Sequence, residues 1–335
     1  MKESTYRLLI TGLVQGIGFR PFIYRLAREH GLLGSVENRN DGVIVEVNGT
    51  VAKIHRFKED VFHRAPEASS IEDIEVSETE YKRFLSFKIQ ESGDVSLDVT
   101  EISPDIAVCP ECLADLKQQP HRINYPLINC TYCGPRFTII RDLPYDRPNT
   151  TMARFNMCPD CRSEYENIMD RRFHAQPVAC NQCGPVYNLD TRDGSTEDIG
   201  EILDRISDLV AHGSLLSIKG TGGFHLVCDA FNSGAVKVLR AMKQRDGKPF
   251  ALMFSDLDSA RSYVEIGKPE EELLTSWRRP IVLLKKKREI TDGIANGLSN
   301  LGVMLPYMPF HVLLFEHLQT PALVMTSGNF ADEPI

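Results

Sequence analysis

Four C-x-x-C pairs between residues 109 and 183 constrain this 335-residue chain more than any other feature. They hold eight of its nine cysteines: Cys109/Cys112, Cys130/Cys133, Cys158/Cys161 and Cys180/Cys183. The second half of this stretch repeats the first, because Cys-Pro-Glu-Cys returns 49 residues later as Cys-Pro-Asp-Cys, and Cys-Gly-Pro returns after 50. A short unit that recurs in this way, and that is too small to bury a core of its own, indicates a duplicated module.

Each half has the spacing of a four-thiolate zinc site, C-x2-C-x17-C-x2-C and then C-x2-C-x18-C-x2-C. One C-x-x-C turn aims two sulfurs at a single point, and two turns complete a tetrahedron with Zn–S distances of about 2.3 Å. Four sulfurs leave no position open for water, so we predict two structural zinc ions held by all eight cysteines. The spacing permits either sequential pairing (first four, last four) or interleaved pairing. His121 and His174 lie nearby and are expected to be bystanders.

The alternative to zinc is a disulfide cage, which belongs in an oxidising compartment. The first residues, Met1 to Thr5, do not resemble a secretory start, and no run approaches 18 apolar residues. We therefore expect a cytoplasmic protein with no membrane partner. The net charge of −8 falls to −12 if each four-thiolate zinc adds −2, which disfavours a nucleic-acid partner.

The first ninety residues alternate short apolar runs with turn signals. Strands are predicted at 5–13, 35–38, 43–48, 70–76 and 84–89, with helices from Pro21 and at 51–62. The order βαββαβ is that of the ferredoxin-like fold.

A glycine-rich loop follows the first strand; it comprises Gln15, Gly16, Ile17, Gly18 and Phe19, with Arg20 next. Glycines let successive backbone N–H groups face one concavity that binds anions, and the N-terminus of the following helix adds partial positive charge. The planar guanidinium of Arg20 suits a phosphate, and Asn38 is able to orient a water. Together they suit hydrolysis of a mixed anhydride by positioning and charge stabilisation. The alternative is a tight turn without a function.

This stretch resembles the acylphosphatase signature: Gly12-Leu13-Val14-Gln15-Gly16-Ile17-Gly18-Phe19-Arg20, with Asn38 and Asp41-Gly42-Val43. The resemblance implies that Arg20 holds an acyl phosphate and that Asn38 orients the attacking water. Both would then be catalytic residues, with residues 15–19 as the phosphate-binding loop.

The polar stretch at 92–104 is predicted to be a linker between a 1–91 domain and a cysteine module at 105–190. Within that module, residues 136–140 alternate partly like a strand. The run Arg171-Arg172-Phe173-His174 is able to contact an anion, although the residues alone favour a solvated loop.

Residues 195–335 read as an α/β layer around a sheet. Strands are predicted at 215–218, 224–228, 250–254, 281–285 and 322–326, with helices at 199–210, 236–242, 257–264, 269–277 and 310–318. No Walker sequence is present. Lys243 and Arg245 end a helix, where basic residues suit the dipole in any case. Ser327 and Asn329 follow an apolar strand, where ligands often bind in α/β sheets.

Lys243-x-Arg245 with Ser327-x-Asn329 resembles the K-x-R…S-x-N set of YrdC-like domains, and Lys219 and Thr221 lie where that family's early ligand contacts fall. The resemblance implies an ATP-binding, adenylate-forming domain with Mg²⁺ on the phosphates. Cys228, the ninth cysteine, is expected to pack in the core.

The whole order resembles the carbamoyltransferase family HypF of [NiFe]-hydrogenase maturation, which Arg172–Cys180 and Gly302–Tyr307 also match. The expected fold is therefore multidomain, α+β and α/β. The resemblance implies that carbamoyl phosphate is hydrolysed to carbamate, that ATP then gives carbamoyl-adenylate for CN ligand synthesis, and that HypE accepts the carbamoyl group. That last transfer needs a further C-terminal module, so we expect an N-terminal fragment with an incomplete YrdC-like domain.

Two other functions stay open from the sequence. One is a zinc-ribbon adaptor or chaperone-like binding module with inactive flanking domains. The other is a YrdC-type synthase of threonylcarbamoyl-adenylate for tRNA modification.

Overall fold

The structure, a computed structural model, describes residues 4–90, 101, 103–244 and 247–329. The predicted linker at 92–104 and Arg245 therefore lie largely or wholly outside the described residues. The regular elements are, in chain order, β1 (Ser4–Leu13), α1 (Phe19–Glu29), β2 (Leu33–Arg39), β3 (Gly42–Gly49), α2 (Val51–His63), β4 (Ser70–Thr79), β5 (Phe87–Ile89), α3 (Pro110–Gln118), α4 (Pro159–Glu166), β6 (Leu189–Thr191), β7 (Gly194–Thr196), α5 (Ile199–Ala211), β8 (Leu216–Lys219), β9 (Phe224–Asp229), α6 (Ser233–Met242), β10 (Ala251–Phe254), α7 (Leu257–Arg261), α8 (Lys268–Thr275), β11 (Val282–Lys285), β12 (Asn300–Met304), α9 (Pro309–His317) and β13 (Ala322–Ser327).

The chain divides into two compact units that do not follow chain order. The first joins the residues up to Asp105 with Asn129–Gly184, and the second joins Ile106–Ile128 with the residues from Pro185 onward. The cysteine-rich stretch thus contributes to both units.

The first unit contains a five-stranded sheet in the order β4-β1-β3-β2-β5. The pairs β1–β3, β1–β4 and β2–β3 are antiparallel, as the ferredoxin-like prediction requires, and the edge strand β5 runs parallel to β2. Helix α1 buries Phe22, Ile23 and Leu26, which recur at helical spacing on one face. Helix α2 buries Ile54, Phe57 and Val61 in the same way.

Residues 129–184 of this unit have little regular structure, and buried arginines stabilise them. A backbone carbonyl outside a helix or sheet needs another donor when it is buried. Arg147 donates to the carbonyls of Gln176 at 2.6 Å, Val178 at 2.9 Å and Phe155 at 2.8 Å. The strand predicted at 136–140 is wrong, because residues 137–139 form a short 3-10 turn.

The second unit is built on a six-stranded mixed sheet in the order β11-β12-β10-β13-β9-β8, in which β10 and β12 are parallel. Residues of α6, α7 and α8 share one hydrophobic core with β9–β13. Cys228 lies in that core as expected, and burial raises the pKa of its thiol to about 12. Strand β12, helix α3 and the β6–β7 hairpin are elements that the sequence analysis did not predict.

Within the described ranges, every helix is too short or too polar to cross a lipid bilayer.

Candidate functional site

The glycine-rich loop of the first unit connects the end of β1 to the start of α1. Gly16 and Gly18 have φ angles of 76° and 77°, in the left-handed region that glycine tolerates. Gly18 is also the N-cap of α1. A Cβ built on Gly18 would lie 2.8 Å from Cγ2 of Thr131, so the loop has no space for a side chain there. The result is a loop whose amides precede a helix N-terminus, as an anion site requires.

The side chains of the other loop residues are not placed to contact a ligand in the loop. Ile17 and Phe19 are buried at 1% and 2% exposure, so only their backbone groups are available to a ligand. Gln15 fixes the loop instead: its Nε2 donates to the carbonyls of Arg39 and Gly42, and its Oε1 accepts from Tyr145 N at 3.3 Å.

Arg20 and Asn38 line the same cleft as the loop. Arg20 is buried in the first turn of α1, and its guanidinium donates to Asp146 Oδ1 at 2.6 Å. Asn38, on β2, is 3% exposed, and its Oδ1 has no hydrogen-bond partner among the described residues. Because a buried acceptor without a partner is costly, this oxygen is suited to hold a water or a ligand.

Residues 129–184 form a second wall of this cleft, which the sequence analysis largely missed. It includes Arg136, Tyr145, His174 and Gln176. Arg136 is 1% exposed and donates to the carbonyl of Gly16 in the loop and to that of Thr131 at 2.9 Å. The sequence signal for this wall is the run at 171–174, whose residue types are able to contact an anion although they favour a solvated loop when taken alone.

The imidazole of His174 is neutral at pH 7. Burial, and then the positive charge of Arg20, lower its pKa from 6.5 to about 4.

The last four cysteines form one group inside the first unit. Sγ–Sγ distances are 3.7 Å for Cys158–Cys180, Cys180–Cys183 and Cys161–Cys183. A tetrahedral zinc with Zn–S of about 2.3 Å requires sulfurs about 3.8 Å apart, whereas a disulfide requires about 2.05 Å. The geometry therefore fits zinc and excludes an interleaved pairing, which leaves the first four cysteines as the other set.

Both halves begin with the same local device, a cysteine N-cap followed by proline at the first helical position. Cys109 and Pro110 begin α3, and Cys158 and Pro159 begin α4. Proline is preorganised for this position. The second cysteine of each motif therefore falls in the first turn, where Cys112 and Cys161 are fully buried.

In the second unit, Lys243 connects the end of α6 to the end of β13. It is 4% exposed, and its Nζ donates to the carbonyls of Ser327, at 2.9 Å, and Asn329. The Ser327 hydroxyl donates to Asn329 Oδ1. The structure thus brings together three of the predicted nucleotide residues. Arg245 lies outside the described residues.

Lys219 ends β8 and precedes the loop that holds Thr221. Its backbone carbonyl accepts from the Tyr187 hydroxyl at 2.9 Å, and its Nζ lies 5.6 Å from the ring centroid of Phe224. Phe224 pairs with Lys219 across the sheet, and its carbonyl accepts from Gly328 N at 2.7 Å. The Lys219 turn and the Ser327–Asn329 turn therefore lie at the same end of the sheet.

Two histidines at this end were not predicted as site residues. His225 pairs with Ser327 in the register of β9 and β13. His311 is 1% exposed, and neither ring nitrogen has a hydrogen-bond partner in the described part of the chain. Burial lowers its pKa to about 3, so this imidazole is neutral.

Three protein families match parts of the chain. Acylphosphatase matches residues 6–89, the HypF finger matches 108–140 and 157–189, and the Sua5/YciO/YrdC family, described as telomere recombination, matches 208–335. Each finger match contains one complete set of four cysteines.

Individual relatives match nearly the whole chain. A carbamoyltransferase HypF from Rhodobacter capsulatus is 43% identical over 332 residues, which are 99% of this chain and 44% of that protein. A crystal structure of full-length HypF in the phosphate- and nucleotide-bound form is 44% identical and covers 100% of this chain and 44% of its own, with a TM-score of 0.92. HypF of T. kodakarensis is 45% identical and covers 99% and 43%, with a TM-score of 0.87.

The chain spans less than half the length of these relatives. The acylphosphatase, HypF-finger and Sua5/YciO/YrdC matches occur in the predicted order, and over nearly its whole length this chain is homologous to part of the HypF carbamoyltransferases, at 43% identity.

Proposed function

We propose that this chain catalyses the first two steps of carbamoyl transfer in [NiFe]-hydrogenase maturation: hydrolysis of carbamoyl phosphate, then formation of carbamoyl-adenylate from carbamate and ATP. The observation that carries the proposal is the cleft in which Arg20 lies beside the phosphate loop with Asn38, whose Oδ1 has no hydrogen-bond partner among the described residues. The HypF relative described as phosphate- and nucleotide-bound supports a phosphate site in this chain.

In the first step, the loop amides and Arg20 bind the phosphoryl group and stabilise its charge. Asn38 accepts a hydrogen bond from a water and thereby directs the oxygen of that water at phosphorus. The P–O bond to the carbamoyl group breaks, so that phosphate and carbamate are the products. Asn38 does not have to act as a base, because positioning alone accounts for several kcal/mol of such a barrier.

In the second step, a carbamate oxygen attacks the α-phosphorus of ATP, and pyrophosphate leaves. Lys219, Thr221, Ser327 and Asn329 are the proposed nucleotide contacts, with Mg²⁺ on the ATP phosphates. Lys243 fixes the turn at 327–329 through two backbone carbonyls and adds a positive charge there. Arg245 is proposed as a further phosphate contact from the sequence motif. The nucleotide-bound state of the same relative supports a nucleotide site in this chain.

Each four-cysteine set is proposed to bind one structural zinc. The acceptor of the carbamoyl group is proposed to be HypE, and the compartment the cytoplasm. No residue of this chain is assigned to that final transfer.

A direct test measures pyrophosphate release from ATP by the purified chain. We expect release with Mg²⁺ and carbamoyl phosphate present, and a fall of at least about 10²-fold in Lys243→Ala, because a buried cation that orders the turn is lost. Lys237→Ala is the matched control, because Lys237 is exposed on the same helix and should leave the rate unchanged.

The substrate dependence separates this proposal from its alternatives. Stimulation by threonine with bicarbonate, and none by carbamoyl phosphate, would indicate a threonylcarbamoyl-adenylate synthase. A chain that neither hydrolyses acyl phosphates nor uses ATP would instead be a binding module.

A further inference from the structure

The cleft that holds Arg20 and Asn38 is called here the acyl-phosphate cleft, and residues 129–184 form one of its walls. In this wall, the imidazole ring of His174 has no hydrogen bond to a described residue. We propose that His174 recognises the carbamoyl group, so that this cleft selects carbamoyl phosphate over acetyl phosphate. The proposal rests on the acyl phosphate hydrolysis proposed above and assigns its substrate specificity to a residue outside the phosphate loop.

The position of His174 is fixed by its backbone and its packing. Its φ is 54°, which is uncommon for a residue with a side chain. Its N–H donates to the carbonyl of Tyr165 at 3.0 Å. The ring packs edge-on against Phe173, with ring centroids 4.4 Å apart, and against Tyr165 at 5.1 Å. Strained conformations that the surroundings hold in place cluster at ligand sites.

The neighbouring polar side chains of the wall are already engaged. Gln176 Oε1 accepts from Arg147 N at 2.8 Å and from the Tyr165 hydroxyl at 3.0 Å, and its Nε2 donates to the carbonyl of His174 at 3.0 Å. Asp146 accepts from Arg20. By contrast, no described residue forms a hydrogen bond with the ring nitrogens of His174. Gln176 therefore positions the His174 turn, and the imidazole is the group that remains for the substrate.

The chemistry of a neutral imidazole matches what distinguishes the two substrates. Carbamoyl phosphate and acetyl phosphate share a carbonyl and a phosphate, but one has an NH₂ group where the other has a methyl. A neutral imidazole has one acceptor nitrogen and one N–H donor. Its acceptor can take an amide hydrogen, whereas a methyl group offers nothing to it. A buried site built around a hydrogen bond discriminates against an analogue that lacks it, because its polar group is then left unpaired.

The test compares kcat/KM for carbamoyl phosphate and for acetyl phosphate in His174→Ala and His174→Asn. In His174→Ala we expect carbamoyl phosphate hydrolysis to fall between about 10- and 100-fold, while acetyl phosphate hydrolysis changes less than about 3-fold. Asparagine tolerates positive φ and keeps an acceptor, so His174→Asn should recover part of the preference. Inhibition by inorganic phosphate should stay unchanged in both, because the loop and Arg20 are intact.

His55→Ala is the matched control, since His55 is exposed on α2 and should leave both rates unchanged. An equal fall for both substrates in both His174 variants would overturn the inference, because it would show that the ring only supports the cleft. A wild-type chain that hydrolyses carbamoyl and acetyl phosphate with equal kcat/KM would overturn it as well. If the wild-type chain hydrolyses neither carbamoyl phosphate nor acetyl phosphate, and its rates equal those of Arg20→Ala, the proposed function itself would be overturned.

Discussion

Arg20→Ala should lower kcat/KM for carbamoyl phosphate by about 10³-fold, which corresponds to roughly 4 kcal/mol of transition-state stabilisation. Arg20 is buried in the cleft beside the loop amides, where solvent screens its charge poorly. Its planar fork can meet two phosphate oxygens at once, which lysine does not reproduce. We therefore expect Arg20→Lys to recover only part of the lost rate. The measurement is phosphate release under first-order conditions.

The same change affects Asp146, whose carboxylate accepts from Arg20. Removal of the arginine destabilises this part of the cleft, and the melting temperature should be recorded beside the rate so that unfolded protein is not counted as inactive. Arg28→Ala is the control, because Arg28 is exposed at the other end of the same helix. Arg20→Ala with a wild-type rate would remove Arg20 from the mechanism.

The loop and the sheet beneath it were predictable because their signals are local. Alternating apolar residues, the Asp41-Gly42 turn and Pro21 at a helix start each act within a few residues. The structure places β1, α1, β2 and β3 within a few residues of the predicted bounds. The roles of Arg20 and Asn38 came from the acylphosphatase signature, and they stay predictions until the variants are measured.

The second wall of the cleft was not predictable in this way. Arg136, Arg147 and Arg172 are almost fully buried, although arginine in an irregular segment usually indicates a solvated loop. Each of them donates to at least one backbone carbonyl that is distant in sequence, as Arg172 Nε does to Asn129 at 3.1 Å. Such contacts depend on the folded arrangement, and so the strand predicted at 136–140 was wrong.

Around the proposed nucleotide site, the sequence indicated some of the neighbouring residues and not others. The sequence motif selected Lys243, Ser327 and Asn329, and the sheet places the latter two beside the lysine. His311 was not among the predicted site residues; a single histidine on an apolar helix normally belongs to the core. Its two ring nitrogens have no hydrogen-bond partner among the described residues, and this can be recognised only when the neighbours of α9 are known.

Cys161→Ser should reduce the zinc content from two ions to one per chain. Cys161 lies in the first turn of α4, is fully buried, and has its Sγ 3.7 Å from that of Cys183. A serine hydroxyl is a much poorer zinc ligand than a thiolate, and structural zinc contributes roughly 10 kcal/mol or more in small finger peptides. Metal analysis of the purified protein gives the stoichiometry directly.

The loss of this zinc should also disturb the cleft that holds Arg20, Asn38 and His174. The small hydrophobic cluster of the second finger contains Ala175 and Val178 as well as the cysteines, and Ala175 directly follows His174. This cluster lies in a segment with little regular structure, so the metal is its main source of stability. When the metal is lost, we expect loss of acyl phosphate hydrolysis and a lower melting temperature. Cys228→Ala is the matched control, because Cys228 is a buried cysteine in the core of the other unit and should leave both zinc ions bound. Two zinc ions retained in Cys161→Ser would contradict the four-thiolate assignment, because the same distances would then have to arise from packing alone.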